Sequence, residues 1–237
     1  MAITVSGTPT ENIAAADPQS FSCAGSSSPK AAVVMIGHGT VSTDIVNSVT
    51  YGGVTMTRIQ SNTDGANEAG RTYLYFLGGE GVNPAGGSQT VSVDRTEATT
   101  SVHVVAFTMD ADADLEVVDF DGVNDNVANP GVTLQYGGRT CLSVSMDYTG
   151  AASPLGAGTS CTAIHTHDFT AFGCTAQQQT TEGASDFLIG HTAGADDVAF
   201  SAMAIGQIVV ILPPPFLTTL LRTAGRRTGP HAIPRRR

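Results

Sequence analysis

The sequence predicts an all-β protein, an antiparallel β-sandwich of jelly-roll-like type with an extended C-terminal arm. Roughly ten to twelve short apolar or alternating segments are each bounded by turn residues, the pattern of a sandwich. Charged residues make up only 14% of the chain, and Thr, Ser, Val, Asp and 27 Gly fill the gap. β-Branched residues suit a pleated surface, while Gly and Asp supply turns. No stretch before residue 215 carries a long helical period with caps.

Residues 3–6 (ITVS) read as a short strand, and residues 31–36 (AAVVMI) as a strand buried on both faces that ends at Gly37-His38-Gly39. Residues 48–59 (SVTYGGVTMTRI) follow, with Gly52-Gly53 marking a tight turn or bulge. Residues 72–77 (TYLYFL) form an aromatic-rich strand, and 78–88 a loop with five glycines and a proline. Alternation at 90–93 and an apolar strand at 102–109 come next. Strands at 132–134, 142–146, 169–175, 187–189 and 198–205 complete the series. In 142–146, Leu142, Val144 and Met146 face one way and Ser143 and Ser145 the other. Residues 1–212 are read as one sandwich domain. Pro213-Pro214-Pro215 opens an arm, 213–237, because prolines there cannot continue a strand. Within the arm, 216–222 (FLTTLLR) offers about two helical turns.

The formal net charge is −10, but it is unevenly spread. Six of the 11 basic residues are arginines between Arg222 and Arg237, a stretch without acids, so the rest carries 21 acids against 5 bases. An acidic body repels phosphate, and no nucleic-acid partner is expected for it. The opening residues do not read as a signal peptide, and the most apolar stretch, 208–212, is too short to span a bilayer, so no membrane partner is expected. The four cysteines, Cys23, Cys141, Cys161 and Cys174, read as small buried thiols, although Cys161 and Cys174 are close enough in sequence to bridge a hairpin.

The runs AAVVMIG, SVTYGGVTMTRI, TYLYFLGGEGVNPAGGSQTVSV and SVHVVAFTMD resemble a β-sandwich family common in structural proteins of tailed phages and environmental viruses. The resemblance covers roughly residues 3–205. It implies a fold and a place in the virion, and it brings no catalytic residues with it. Similar domains also occur in bacterial surface proteins.

Asp110, Asp112, Asp114 and Glu116 form D-x-D-x-D-x-E, with Asp119, Asp121 and Asp125 soon after. Calcium takes six to eight oxygens, which an acidic loop can supply. Leu115 stands where an EF-hand loop needs Gly, and Asp121 where it needs Glu, so only an irregular site is open. Asp110, Asp112, Asp114, Asp119 and Asp121 are its candidate ligands, set against a solvated acidic turn; no cofactor besides calcium is expected. His165 and His167 would share one strand face, and such a pair can hold zinc with a third ligand. Asp168 is adjacent, but spacing reveals no fourth partner, and paired loop histidines are the simpler reading. Gly37-His38-Gly39 is read as a strand end, because no G-x-S-x-G elbow accompanies it. Tyr51, Tyr73 and Tyr75 are read as sheet residues rather than sugar platforms.

The arm carries the clearest charge asymmetry. Phe216, Leu217, Leu220 and Leu221 give it apolar anchors, and Arg222, Arg226, Arg227, Arg235, Arg236 and Arg237 can pair with a neighbour's acidic body. The expectation is a non-enzymatic structural component of a tailed-virus particle, a head decoration (cement) or tail-associated protein. Its partners would be other virion proteins and copies of itself. The alternative is a glycan- or surface-binding sandwich, possible host-surface glycans being its ligand, with calcium assisting.

Overall fold

The computed structural model describes residues 3–39, 43–63, 70–96, 102–127, 131–135, 140–147, 156–158, 161–168, 173–179, 187–192 and 196–209. Among them the protein is all strand and turn. The first run of strands is β1 (Thr4–Ala14), β2 (Gln19–Ala24), β3 (Ala31–His38), β4 (Val46–Tyr51), β5 (Val54–Thr55), β6 (Thr57–Thr63), β7 (Arg71–Leu77), β8 (Ser88–Arg95) and β9 (Val102–Asp110). The second is β10 (Leu115–Val127), β11 (Gly131–Leu134), β12 (Thr140–Asp147), β13 (Gly156–Ala157), β14 (Cys161–Asp168), β15 (Gly173–Gln179), β16 (Phe187–Thr192) and β17 (Asp196–Gln207).

These strands build four sheets, and the pairings within them are antiparallel. The first run gives an inner sheet, β1-β9-β3-β7-β6, and an outer sheet, β2-β8-β4-β5. The second gives an inner sheet, β10-β17-β12-β15-β14, and an outer sheet, β11-β16-β13. Only Met56 separates β5 from β6, so the two are one strand that changes sheet. Counted that way, both runs follow the same order. The first strand pairs with the last, the last with the third, the third with the sixth and the sixth with the fifth; in the outer sheet the seventh lies between the second and the fourth. This is jelly-roll order, two Greek keys folded on each other. The described part of residues 1–212 therefore holds two sandwiches in tandem, joined through residues 111–114, rather than one.

Three apolar layers fill the four-sheet stack. One lies between the first outer and inner sheets, built on Val49, Tyr51, Val91 and Val93 against Val34, Ile36, Tyr73 and Val104. The second lies between the two inner sheets, with Val33, Met35, Leu74, Phe76 and Phe107 against Leu142, Val144, Met203 and Ile205. The third joins the second inner and outer sheets, with Val198, Phe200, Ala202 and Ala204 against Val132, Leu134 and Ile189. The unbroken apolar run 31–36 now has its reason: Ala32, Val34 and Ile36 face one layer, and Ala31, Val33 and Met35 the next. The third layer is partly polar. Gln177, fully buried, donates to Ser143 Oγ (3.0 Å) and to the Gly190 carbonyl (2.7 Å), and its own carbonyl accepts from Gly158 N (2.9 Å).

The inner sheets stack with reversed strand order. β6 lies on β10 and β17, β1 lies beside β14, and β3 crosses β12 at the centre. The first strand of each sandwich thus meets the fifth of the other, and third meets third. That is the contact pattern of a two-fold, isologous interface, here made within one chain.

Two expectations need correction at element level. Residues 115–127 are strand β10, not an acidic turn, because β17 supplies a long antiparallel partner from Leu115↔Gln207 to Val127↔Asp196. The histidine pair lies on strand β14, not in a loop. Gly37-His38-Gly39 does end its strand: β3 stops at His38, with Gly37 opposite His103 and Thr72. Gly52-Gly53 is the expected tight turn. Both have positive φ, 57° and 81°, and Tyr51 pairs with Val54 across it, the geometry of a type I′ hairpin.

Candidate functional site

The acidic segment does not gather into one basket. Asp110, at the end of β9, accepts from Ser26 Oγ at 2.7 Å, and Asp112 is exposed. Asp114 accepts from Gly81 N (2.9 Å) and Lys30 Nζ (3.1 Å), and these contacts hold its carboxyl below the usual range. On β10, Asp119 accepts from Gln135 N at 2.7 Å, and Asp121 from the adjacent Gly122 N at 2.8 Å. The carboxylates are spent on separate backbone and side-chain donors: Asp114 pins the 78–87 loop, and Asp119 ties β10 to the end of β11. Among the described residues, no group of three or more His, Cys, Asp or Glu side chains is placed to hold a metal ion.

His38 belongs to a core network. Its Nε2 lies 3.2 Å from Tyr73 Oη, which also accepts from Ile45 N at 3.2 Å. Arg58 lies over Tyr73 and Tyr75, donates to Tyr75 Oη at 2.9 Å, and pairs with Asp44. Burial, then the charges of Arg71 and Arg95, push the His38 imidazole down to about 3. Tyr51, Tyr73 and Tyr75 are all buried sheet residues, as their pattern implied.

A second histidine group is the most chemically loaded place among the described residues. β1 brings Glu11 and β9 brings His103 to the face of the first inner sheet that looks onto the second; Glu11 pairs with Val105, and His103 with Ile13. β14, the edge strand of the second inner sheet, brings His165 and His167. His103 Nε2 lies 2.7 Å from Glu11 Oε1, His167 Nδ1 3.9 Å from Glu11 Oε1, and His165 Nδ1 3.9 Å from Glu11 Oε2. The His103 and His167 rings stand 5.7 Å apart. His165 Nε2 lies 3.2 Å from the Pro9 carbonyl. Burial lowers the His103 pKa to about 4, against the pull of Glu11. One carboxylate therefore sits among three imidazoles at the seam between the two sandwiches. The sequence displays only the His165/His167 pair. Glu11 and His103 escape it because they are distant in the chain, although a lone histidine inside the apolar run VHVVAFTMD is a signal in hindsight.

The four cysteines are free thiols. Cys161 and Cys174 lie at opposite ends of the β14–β15 ladder, opposite Gln179 and His167 respectively, and do not meet. Burial raises both thiols, Cys161 to about 11. The arm, with Phe216, Leu217, Leu220, Leu221 and Arg222 through Arg237, lies outside the described residues, as do the expected helical turns at 216–222. No protein-family model, no curated protein and no solved structure matches the chain.

Proposed function

We propose that the chain is a structural component of a tailed-virus particle, a head decoration or tail-associated protein that binds neighbouring virion subunits. The observation that carries this reading is the pair of jelly-roll sandwiches stacked through their inner sheets. Jelly rolls are a recurrent choice for capsid and lectin domains, and a four-sheet stack is a rigid block with large outer faces. The charge split supports it as well: an acidic body and an arginine-rich arm complement each other between copies. Mass spectrometry of purified particles from a culture carrying the gene tests it. The expected result is the chain at a fixed copy number relative to the other particle proteins; its absence from particles, with the protein expressed in the same cells, overturns the reading.

The 78–87 loop favours a second reading, a glycan-binding module. It is glycine-rich yet held at several points: Gly25 N donates to the Gly87 carbonyl (3.1 Å), Gly87 N to the Ser26 carbonyl (2.7 Å), and Gly81 N to Asp114. A held, exposed loop can present a sugar site without a large ordering cost. Saturable binding on a glycan array, lost when 79–86 is replaced by a short linker, would favour this reading over the first.

A further inference from the structure

We infer that the first sandwich carries a binding site for one small oxyanion group, a carboxylate, sulfate or phosphate. It lies at the end where β3 and β8 finish and β7 begins, with Arg71, Arg95 and His38 as its donors.

Charge points there first. The chain before Arg222 carries only five basic residues, and three of them, Arg58, Arg71 and Arg95, gather at this one end. Period two sets their direction. His38 continues the face of Val34 and Ile36, Arg71 that of Tyr73 and Tyr75, and Arg95 that of Val91 and Val93, so they share the layer between the two sheets of the first sandwich. His38 and Arg71 stand opposite each other on β3 and β7, and Arg95 stands opposite Val46 on β4. Next to Val46, Ile45 N donates to Tyr73 Oη and joins the two halves of the group. Asp44 pairs with Arg58, and Asp17 accepts from Arg95 N, so two carboxylates stand beside three guanidiniums.

A single hydrogen atom points the same way. Burial, then the charges of Arg71 and Arg95, push the His38 imidazole down to about 3, so the ring is neutral at ordinary pH. Tyr73 Oη accepts from Ile45 N and has one hydrogen of its own, and His38 Nε2 at 3.2 Å is the acceptor for it. The ring's hydrogen then sits on Nδ1. That atom is buried and has no hydrogen-bond partner among the described residues. A buried donor left unmade is costly, and an oxyanion satisfies it without asking the ring to take a charge.

The guanidinium fork matches the paired oxygens of such a group. It carries five N–H donors, so the bonds of Arg71 to Ser61 Oγ and of Arg95 to the Ala16 carbonyl do not exhaust either residue. Packed sheets lie about 10 Å apart, which admits one small group and not a polymer. The acidic body repels a polyanion in any case. His38 and Arg95 are buried while Arg58 and Arg71 are half-buried, so a ligand enters past the latter pair. The site lies at the opposite end of β7 from the 78–87 loop and is separate from any sugar site there.

Full-length protein with ¹⁵N-labelled histidine, titrated at neutral pH and constant ionic strength with sodium sulfate, sodium phosphate and sodium glucuronate in turn, tests the site. The expected result is a saturable shift of the His38 ring nitrogens with at least one of the three, together with a rise in melting temperature. A response to glucuronate alone marks a carboxylate site, and a response to sulfate or phosphate a tetrahedral one. Arg71→Gln should weaken the binding about tenfold or more, the loss expected of a charged hydrogen bond. Lys30→Gln removes the same charge beside Asp114 and should leave the binding unchanged. No saturable shift with any of the three salts would overturn the site. Undiminished affinity in folded Arg71→Gln, or equal weakening by Lys30→Gln, would overturn it as well. Should Arg71→Gln fail to fold, the wild-type spectra decide: a shift confined to His38 supports the site, and one shared with His165 and His167 at the seam reduces it to general screening.

Discussion

His38 is a neutral imidazole in a place that forbids its charge. It is buried against Tyr73, and Arg71 and Arg95 repel a second proton more than Asp44 attracts one. Its folded value is about 3, against 6.5 for the free side chain. Between those values the unfolded chain binds the proton and the folded chain does not, so stability rises with pH through that window. The stability is fully present above about pH 6.5 and drains away as pH falls toward 3, with a slope approaching about 1.4 kcal/mol per pH unit for one proton. Urea unfolding at pH 4.5 and 7 should therefore show a smaller loss on acidification for His38→Gln than for the wild type. An identical loss in both would mean that His38 protonates in the folded protein. The fold's need for this histidine was not legible beforehand. Gly37-His38-Gly39 reads as a strand end, and β3 does stop there, but nothing local shows that His38 packs on Tyr73.

At the scale of the element, β10 is the instructive strand. Its acids read as a turn, yet the strand needs Gly122 at its middle. A Cβ there would lie 2.2 Å from Asn62 Nδ2 and 2.7 Å from the Phe200 carbonyl. Asn62, on β6, reaches across the seam and donates to that same carbonyl at 3.0 Å. Gly122→Ala should therefore push β6 from β10 and cost about 1–3 kcal/mol, the usual range for overpacking. Chemical denaturation measures it, and an unchanged midpoint would mean that the seam can yield. Because Asn62 is the nearest obstacle, adding Asn62→Ala should return part of the loss, a coupling that a double-mutant cycle isolates. The strands β3, β7 and β9 were readable in advance because each is apolar on both faces. β10 was not, because it is an edge strand with Phe120 and Asp121 exposed on opposite faces. Edge strands escape the alternation rule when charges guard the open side.

For the whole molecule, the interface between the inner sheets is the main consequence of the fold. Residues 1–112 alone would leave Val33, Met35, Leu74, Phe76, Val105 and Phe107 facing water. Each such side chain is worth about 1.5–3 kcal/mol when buried, so the fragment should not persist as a monomer. Sedimentation should find a dimer, joined through the same face the second sandwich covers, or a larger species. A stable monomer at micromolar concentration would show that the interface is dispensable. The arm is expected to act between molecules instead. If the arm docks on a neighbour, deleting 213–237 should leave the melting temperature little changed but abolish incorporation into particles or oligomers, because its leucines would then bury on that neighbour and its arginines would set register. Unfolding of the truncated protein would place the arm in its own chain's core, and normal assembly would reduce it to a solvated terminus.

By itself, the sequence determined that this is a β protein and where most of its buried strands run. Period-two alternation, apolar runs such as AAVVMI and the Gly52-Gly53 turn are local signals, and local signals survive in a single chain read without its fold. Only the tertiary structure decided that the strands divide into two sandwiches of the same order. A strand's partner is chosen by long-range pairing, as between β1 and β9, and leaves no mark on the strand itself. The seam cluster follows the same logic. His165 and His167 were visible because they stand two residues apart, while Glu11 and His103 join them only because β1 and β14 are brought edge to edge when the inner sheets stack. The chemistry of the site therefore depends on burying two apolar sheet faces against each other, and a pattern of residue types along the chain does not encode that stacking.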